Sequence, residues 1–137
     1  MIEKAIKIAI KAHEGQKDKS GKAYILHPLR IMSSFKNENE QIIAILHDVI
    51  EDSDYTYDDL RNNGFSEDII NAIDSVTKRE NENYFDFINR SKKNNLGRKI
   101  KIADINDNLD LSRLDNPQKE DYERIEKYKR ALDILNN

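Results

Sequence analysis

The sequence predicts an all-α fold of about seven or eight helices, and three observations carry that expectation. Apolar residues recur at helical spacing along most of the chain, no segment keeps the strict alternation of a half-buried strand, and only four glycines and two prolines interrupt 137 residues. That length fits one domain, residues 1–137, with little left over for a second core. Hydrophobic residues make up 37% of the chain and charged residues 36%, so the core must be built from apolar stripes on helices whose other faces are solvated.

The first helix is expected at about 2–14, where Ile2, Ala5, Ile6, Ala9, Ile10 and His13 share a face and Gly15 ends the pattern. Residues 15–26, GQKDKSGKAYIL, read as an ordered loop leading into His27-Pro28, with proline in a first helical turn. A second helix, about 28–36, offers Leu29, Ile31, Met32 and Phe35 for packing. After Asn37–Asn39 a third follows at about 40–52. Further helices are expected at about 56–63, ending at Gly64, and at 67–77, with Ser66 as N-cap. Patterns at 84–93, 98–111 and 121–135 complete the set, with no internal repeat, low-complexity tract or interdomain linker.

Charge and composition narrow the function. Twenty-three basic residues face 26 acids, for a net charge of −3, and no segment concentrates the cations that track a phosphate backbone, which points away from nucleic acid as a partner. No apolar run approaches the roughly 18 residues of a membrane span, and the amino terminus lacks the features of a secretory leader. The absence of cysteine fits a cytoplasmic protein and leaves only nitrogen and oxygen to hold any metal.

The stretch AILHDVIEDS, residues 44–53, puts His47, Asp48, Glu51 and Asp52 on a run whose other residues are core-like. An unpaired carboxylate among such neighbours costs several kcal/mol, and a metal ion is one way to hold these charges together. Imidazole and carboxylate suit manganese, iron, cobalt, nickel or zinc without choosing among them. Further ligands are expected from His27, at the loop-to-helix junction YILHP, and from Asp104 in KIADINDNLDLSR, with Asp107 a weaker candidate. Asn108, one turn after Asp104, can orient a ligand or a phosphate, whereas His13 reads as a structural histidine bonded to the loop after it. An isolated His-Asp pair is common by chance and acids near a helix end are often simply solvated. The force of the pattern lies in its elements occurring in order on separate apolar helices.

Together AHEGQKDKSGKAYILHPLRI, LHDVIEDS and KIADINDN resemble the HD-domain metal-dependent phosphohydrolases, in particular the hydrolases of the alarmones guanosine tetra- and pentaphosphate. The resemblance spans residues 12–108 in family order and implies a single compact HD-type helical fold. It implies a divalent metal, usually Mn2+, on His27, His47, Asp48 and Asp104, with Glu51 and Asp52 positioning the attacking water and handling its proton. Asn108 matches the asparagine lining the nucleotide site. The reaction implied is removal of pyrophosphate from the alarmone or a related nucleotide, a small-molecule partner.

Lys19 and Lys101, with Lys22, Lys78, Arg79 and Arg113, can supply phosphate contacts, and Tyr24 is either a base-stacking platform or a core residue under the loop. Asp18 stands where these hydrolases usually carry a basic residue, and Ile105 where the late motif has arginine. Those departures keep two alternatives in view: an HD hydrolase of another nucleotide or phosphoester, and a non-catalytic metal- or nucleotide-binding regulatory domain. Helical faces of this kind also allow pairing into a homo-oligomer.

Overall fold

The computed structural model describes residues 1–137 and is all-α. Its helices are α1 (Ile2–Ala12), α2 (Leu26–Ser33), α3 (Glu38–Leu46), α4 (Val49–Asp52), α5 (Tyr57–Asn62), α6 (Glu67–Ser75), α7 (Tyr84–Lys92), α8 (Asn95–Asn108) and α9 (Lys119–Asn136), with a 3-10 turn at Leu111–Arg113. The only extended pairing is one antiparallel bridge, Lys17 to Ala23, which closes the loop between α1 and α2. No helix is long and apolar enough to cross a membrane.

Caps explain most boundaries. Asn37 accepts the Glu40 N–H, Ser66 that of Ile69, Asn83 those of Phe85 and Asp86, and Asn94 that of Gly97, while Thr56 and Asp59 form a reciprocal capping box. Four sequence expectations change here. The first helix stops at Ala12, where His13 takes the C-cap, and α2 begins two residues early, placing His27 inside its first turn. The helix expected at about 98–111 runs instead from Asn95 to Asn108, because Asn94 caps it and Asp110 starts the separate 3-10 turn. The third expected helix is divided, with His47 at the C-cap of α3 and Asp48 at the N-cap of α4. Asp48 has φ −106° and ψ 0°, in the sparsely populated bridge region rather than a helical well.

Helix α3 is the centre of the core. Ile42 to Leu46 are five consecutive buried residues, possible because α1, α2, α6 and α8 enclose the helix on different sides. Full burial of an isoleucine or leucine side chain is worth about 1.5–3 kcal/mol, so this short run anchors the bundle. A smaller cluster of Ile88, Ile105, Ala131 and Leu135 joins α7, α8 and α9. Helices α6 and α8 cross closely at Gly97, where a β-carbon would lie 1.9 Å from Ser75 Oγ. That contact admits only glycine without a local shift. Helix α8 therefore belongs to both clusters, and its buried polar residue Asp104 lies between them.

Candidate metal centre and the adjoining cleft

Three backbone segments converge on one point: the first turn of α2 with His27, the break between α3 and α4 with His47 and Asp48, and the middle of α8 with Asp104. His27, His47 and Asp104 are all buried and offer ligand atoms within 4.8 Å of one another. Asp48 joins them, its Oδ2 lying 2.9 Å from His47 Nε2 and 3.9 Å from His27 Nε2. Asp104 Oδ1 is 2.9 Å from His27 Nε2 and 3.5 Å from His47 Nε2.

The donor set fits a divalent cation. His47 Nδ1 lies 2.6 Å from the Ala44 carbonyl, which can only accept, so Nδ1 carries a proton and Nε2 is the nitrogen left to face the carboxylates or a cation. Nε2 is buried and has no hydrogen-bond partner of acceptable geometry, although two carboxylates face it. An orphaned imidazole nitrogen among carboxylate oxygens is what a bound metal would satisfy, and two nitrogens with two oxygens suit the borderline metals.

Within the cluster the mutual attraction of histidines and carboxylates outweighs the effect of burial. Burial disfavours the imidazolium of His47, yet the Asp48 charge and the Asp104 contact outweigh it and push its pKa well up. His27 is likewise raised by Asp104 and Asp107 against the effect of burial. Burial opposes ionisation of Asp104 too, but Lys101 and the two histidines hold its carboxyl well below the usual range. Lys101 Nζ is 2.9 Å from Asp104 Oδ2 and 4.8 Å from the centre of the Phe87 ring.

Glu51 and Asp52 follow on α4. Glu51 is exposed on α4 and accepts the main-chain N–H of Lys78, and partial desolvation of its carboxyl raises its pKa. Asp52, exposed as well, is pushed up to about 6, first by partial desolvation and then by the charges of Asp48 and Glu51. Its main-chain carbonyl accepts from Gln16, whose own Oε1 lies 2.9 Å from His13 Nδ1. His13 is thus the structural histidine expected, bonded to the loop that follows α1.

Beside the cluster opens a cleft of about 270 Å³ whose walls include Lys17, Lys19, Tyr24, His27, Arg30 and Asn108. Arg113 and Arg124 extend the basic wall, with Asp18 and Asp110 as the acids. Tyr24 donates its hydroxyl to Asp48 Oδ2 and tilts its ring against His13 and His27. Asn108 Nδ2 donates to Asp104 Oδ1 at 3.2 Å. Lys19 is exposed on the cleft wall, whereas Lys101 lies behind Asp104 and is not part of that wall. Asp18 Oδ1 accepts from the Ser20 N–H, the Ser20 hydroxyl and the Lys22 N–H, so it builds the turn at Gly21. Ile105, one residue past Asp104, is fully buried between α7 and α9.

Sequence reasoning did not single out Arg30, Arg124 or Lys17, and it ranked Asp107 low. Arg30 lies three residues after His27 and Asp107 three after Asp104, a spacing that puts each pair on one helix face. That spacing was the available signal.

No family model matches the chain. A guanosine-3′,5′-bis(diphosphate) 3′-pyrophosphohydrolase of Aquifex aeolicus is 37% identical over 81 residues, which cover 56% of this chain and 12% of that protein. A probable guanosine-3′,5′-bis(diphosphate) 3′-pyrophosphohydrolase of Mycoplasma genitalium is 36% identical over 143 residues, covering 94% of this chain and 20% of the relative. A Streptomyces coelicolor protein named GTP pyrophosphokinase is 40% identical over 81 residues, 9% of its length. This chain thus spans a fifth or less of each of these relatives. A solved structure described as a metazoan ortholog of SpoT that hydrolyses ppGpp superposes with a TM-score of 0.81, at 24% identity, over 98% of this chain and 84% of its own. The chain is similar in sequence to part of each of these proteins and shares the fold of the solved structure. The expected all-helical HD-type architecture therefore holds, and within the alarmone-hydrolase fold the His/Asp cluster lies where α2, α3 and α8 meet.

Proposed function

We propose that this chain, as one domain over residues 1–137, is a metal-dependent phosphohydrolase that removes pyrophosphate from guanosine tetra- or pentaphosphate or a related nucleotide. The observation that carries the reading is the orphaned, buried His47 Nε2 facing two carboxylates at the edge of an arginine- and lysine-lined cleft. His27, His47, Asp48 and Asp104 would hold the metal, with Mn2+ the preferred ion and the cytoplasm the proposed compartment. When bound, such a cation lowers the pKa of a water and offsets charge on a phosphoryl oxygen.

The chain's own residues do the rest. Asp52, at about 6, is largely ionised near neutrality yet basic enough to take a proton from the attacking water. Glu51, braced on the Lys78 N–H, holds that water for it. Lys17, Lys19, Arg30, Arg113 and Arg124 neutralise the substrate's phosphates, while Tyr24 and Asn108 border both cleft and cluster. Lys101 acts as counter-ion to Asp104 rather than touching substrate.

A second reading keeps the chemistry and changes the nucleotide. It is favoured by Asp18, an anion on the cleft wall already committed to its turn. Manganese-loaded protein should release pyrophosphate from guanosine 3′,5′-bis(diphosphate). Faster release from a non-guanine nucleotide would select the second reading, and no release from any member of a nucleotide panel would overturn both.

A further inference from the structure

Asp107 is the acid at the centre that the proposed ligand set leaves out. It lies one turn after Asp104 on α8, and both its carboxylate oxygens are already engaged. Oδ1 accepts from Arg30 Nε at 2.9 Å, while Oδ2 accepts from Arg30 Nη2 at 2.9 Å and lies 2.6 Å from His27 Nδ1. Arg113 closes the other side, with Nη2 3.6 Å from Oδ2 and bonded to the Asp107 main-chain carbonyl. A carboxylate held by two guanidinium groups is an acceptor only, so its contact with His27 requires the ring proton on Nδ1. The opposite ring nitrogen, Nε2, is the one that faces Asp104 Oδ1 at 2.9 Å.

From this arrangement we propose that Asp107 is a positioning residue acting through His27. It fixes the tautomer and tilt that present Nε2 to the cation, while Arg30 and Arg113 hold Asp107 itself out of the ligand set. The inference rests on the metal-hydrolase reading of the cluster. It adds a role for an arginine pair that otherwise only lines the cleft: the same guanidinium groups that face a phosphate also brace the residue behind a metal ligand.

A carboxylate behind a histidine ligand raises the basicity of that ligand, and its loss typically costs about 10–100-fold in metal affinity. The alternative is that Asp107 merely ties α2 to α8 through its ion pair with Arg30. The two separate in Mn2+ affinities measured by calorimetry on nucleotide-free protein. Asp107→Ala is expected to weaken binding about 10–100-fold and Asp107→Asn by less, since its carbonyl oxygen still accepts from Nδ1–H. Arg30→Met, which leaves the His27 contact in place, is expected to stay within about threefold of wild type.

In zinc-loaded protein, ring 15N spectra should show His27 with Nδ1 protonated and Nε2 on the metal. Unchanged affinity in Asp107→Ala, or an equal loss in Arg30→Met, overturns the positioning role. Circular dichroism identifies an alanine variant that fails to fold, in which case the asparagine variant decides. Wild-type protein that takes up neither metal at His27 overturns the hydrolase reading itself, a result distinct from either of the others.

Discussion

Two polar networks in this molecule, one half-buried and one buried, are built on opposite terms. Between α6 and α7, Arg90 donates from Nε and Nη2 to Glu82, from Nη1 to the Asp74 carbonyl and from Nη2 to the Thr77 carbonyl, so each of its nitrogens has an acceptor and its charge is matched. At the junction of α2, α3 and α8, His47 Nε2 has no hydrogen bond while the carboxylates of Asp48 and Asp104 face the same space. A satisfied network holds a loop to a helix and asks for nothing more. An unsatisfied one persists only where the surrounding fold enforces it, which makes it a candidate for holding a cation.

The sharpest way to break this comparison is to remove one residue from each network. Asp48→Ala should abolish metal uptake and reduce any hydrolysis by about 10²-fold or more, as for loss of a group that organises the reacting centre. It should also lower the stability of the metal-free fold, because His47 and the Tyr24 hydroxyl lose the carboxylate they face, a loss that relief of the Asp48–Asp104 repulsion only partly offsets. Retained metal content in that variant would remove the basis for the centre. Arg90→Ala should act on the fold alone, lowering stability by about 2–3 kcal/mol in urea unfolding as two carbonyls and Glu82 lose their donor, with metal affinity per folded molecule unchanged.

Much of this contrast was legible beforehand, but unevenly. The apolar stripes of α1, α3 and α6 located the core because periodicity reports burial directly. His27, His47, Asp48 and Asp104 stood out because charge on a core-like helix demands a compensating partner. The division of α3 from α4 was invisible, since Leu46, Val49 and Ile50 continue a helical pattern through it and the break depends on His47 bonding Ala44. The start of α8 lies three residues before the expected one, and Gly97 in its first turn carries no apolar side chain to extend the pattern while its lack of one serves the crossing with Ser75. Lys101 and Lys19 cannot be told apart by type; only the packing sends one behind Asp104 and the other to the cleft wall.

A smaller effect tests that crossing. Gly97→Ala should cost about 1–3 kcal/mol, read as a lowered unfolding midpoint, because its β-carbon meets Ser75 Oγ where α6 and α8 touch. The shift should be seen with and without metal.

Acid separates the two networks most finely. Glu82 is held down to about 2, chiefly by its hydrogen bonds to Arg90, below the ordinary value of 4.5. Its stabilising contribution is present above about pH 4.5 and disappears as the pH falls toward 2. Asp52 is displaced upward, from 3.8 to about 6, so its ionisation opposes folding and its contribution to stability is lost as pH rises through 6. Glu82→Gln should therefore flatten the acid limb of the stability profile measured by urea unfolding. Asp52→Asn should raise stability at pH 7 while removing the rise in hydrolysis expected as the pH passes 6. An Asp52→Asn variant no more stable than wild type at pH 7 would place that carboxyl with the satisfied groups.

The bend between α3 and α4 has a consequence for tolerance. On a continuous helix His47 and Asp48 would diverge by about 100°; with Asp48 out of the helical well, Oδ2 comes to 2.9 Å from His47 Nε2. Two of the four proposed donors therefore share a single peptide linkage and move as one unit. Geometric slack at the centre can enter only through the separations to α2 and α8. Sequence changes far from the cluster will loosen its grip on a cation to the extent that they let those two helices drift apart.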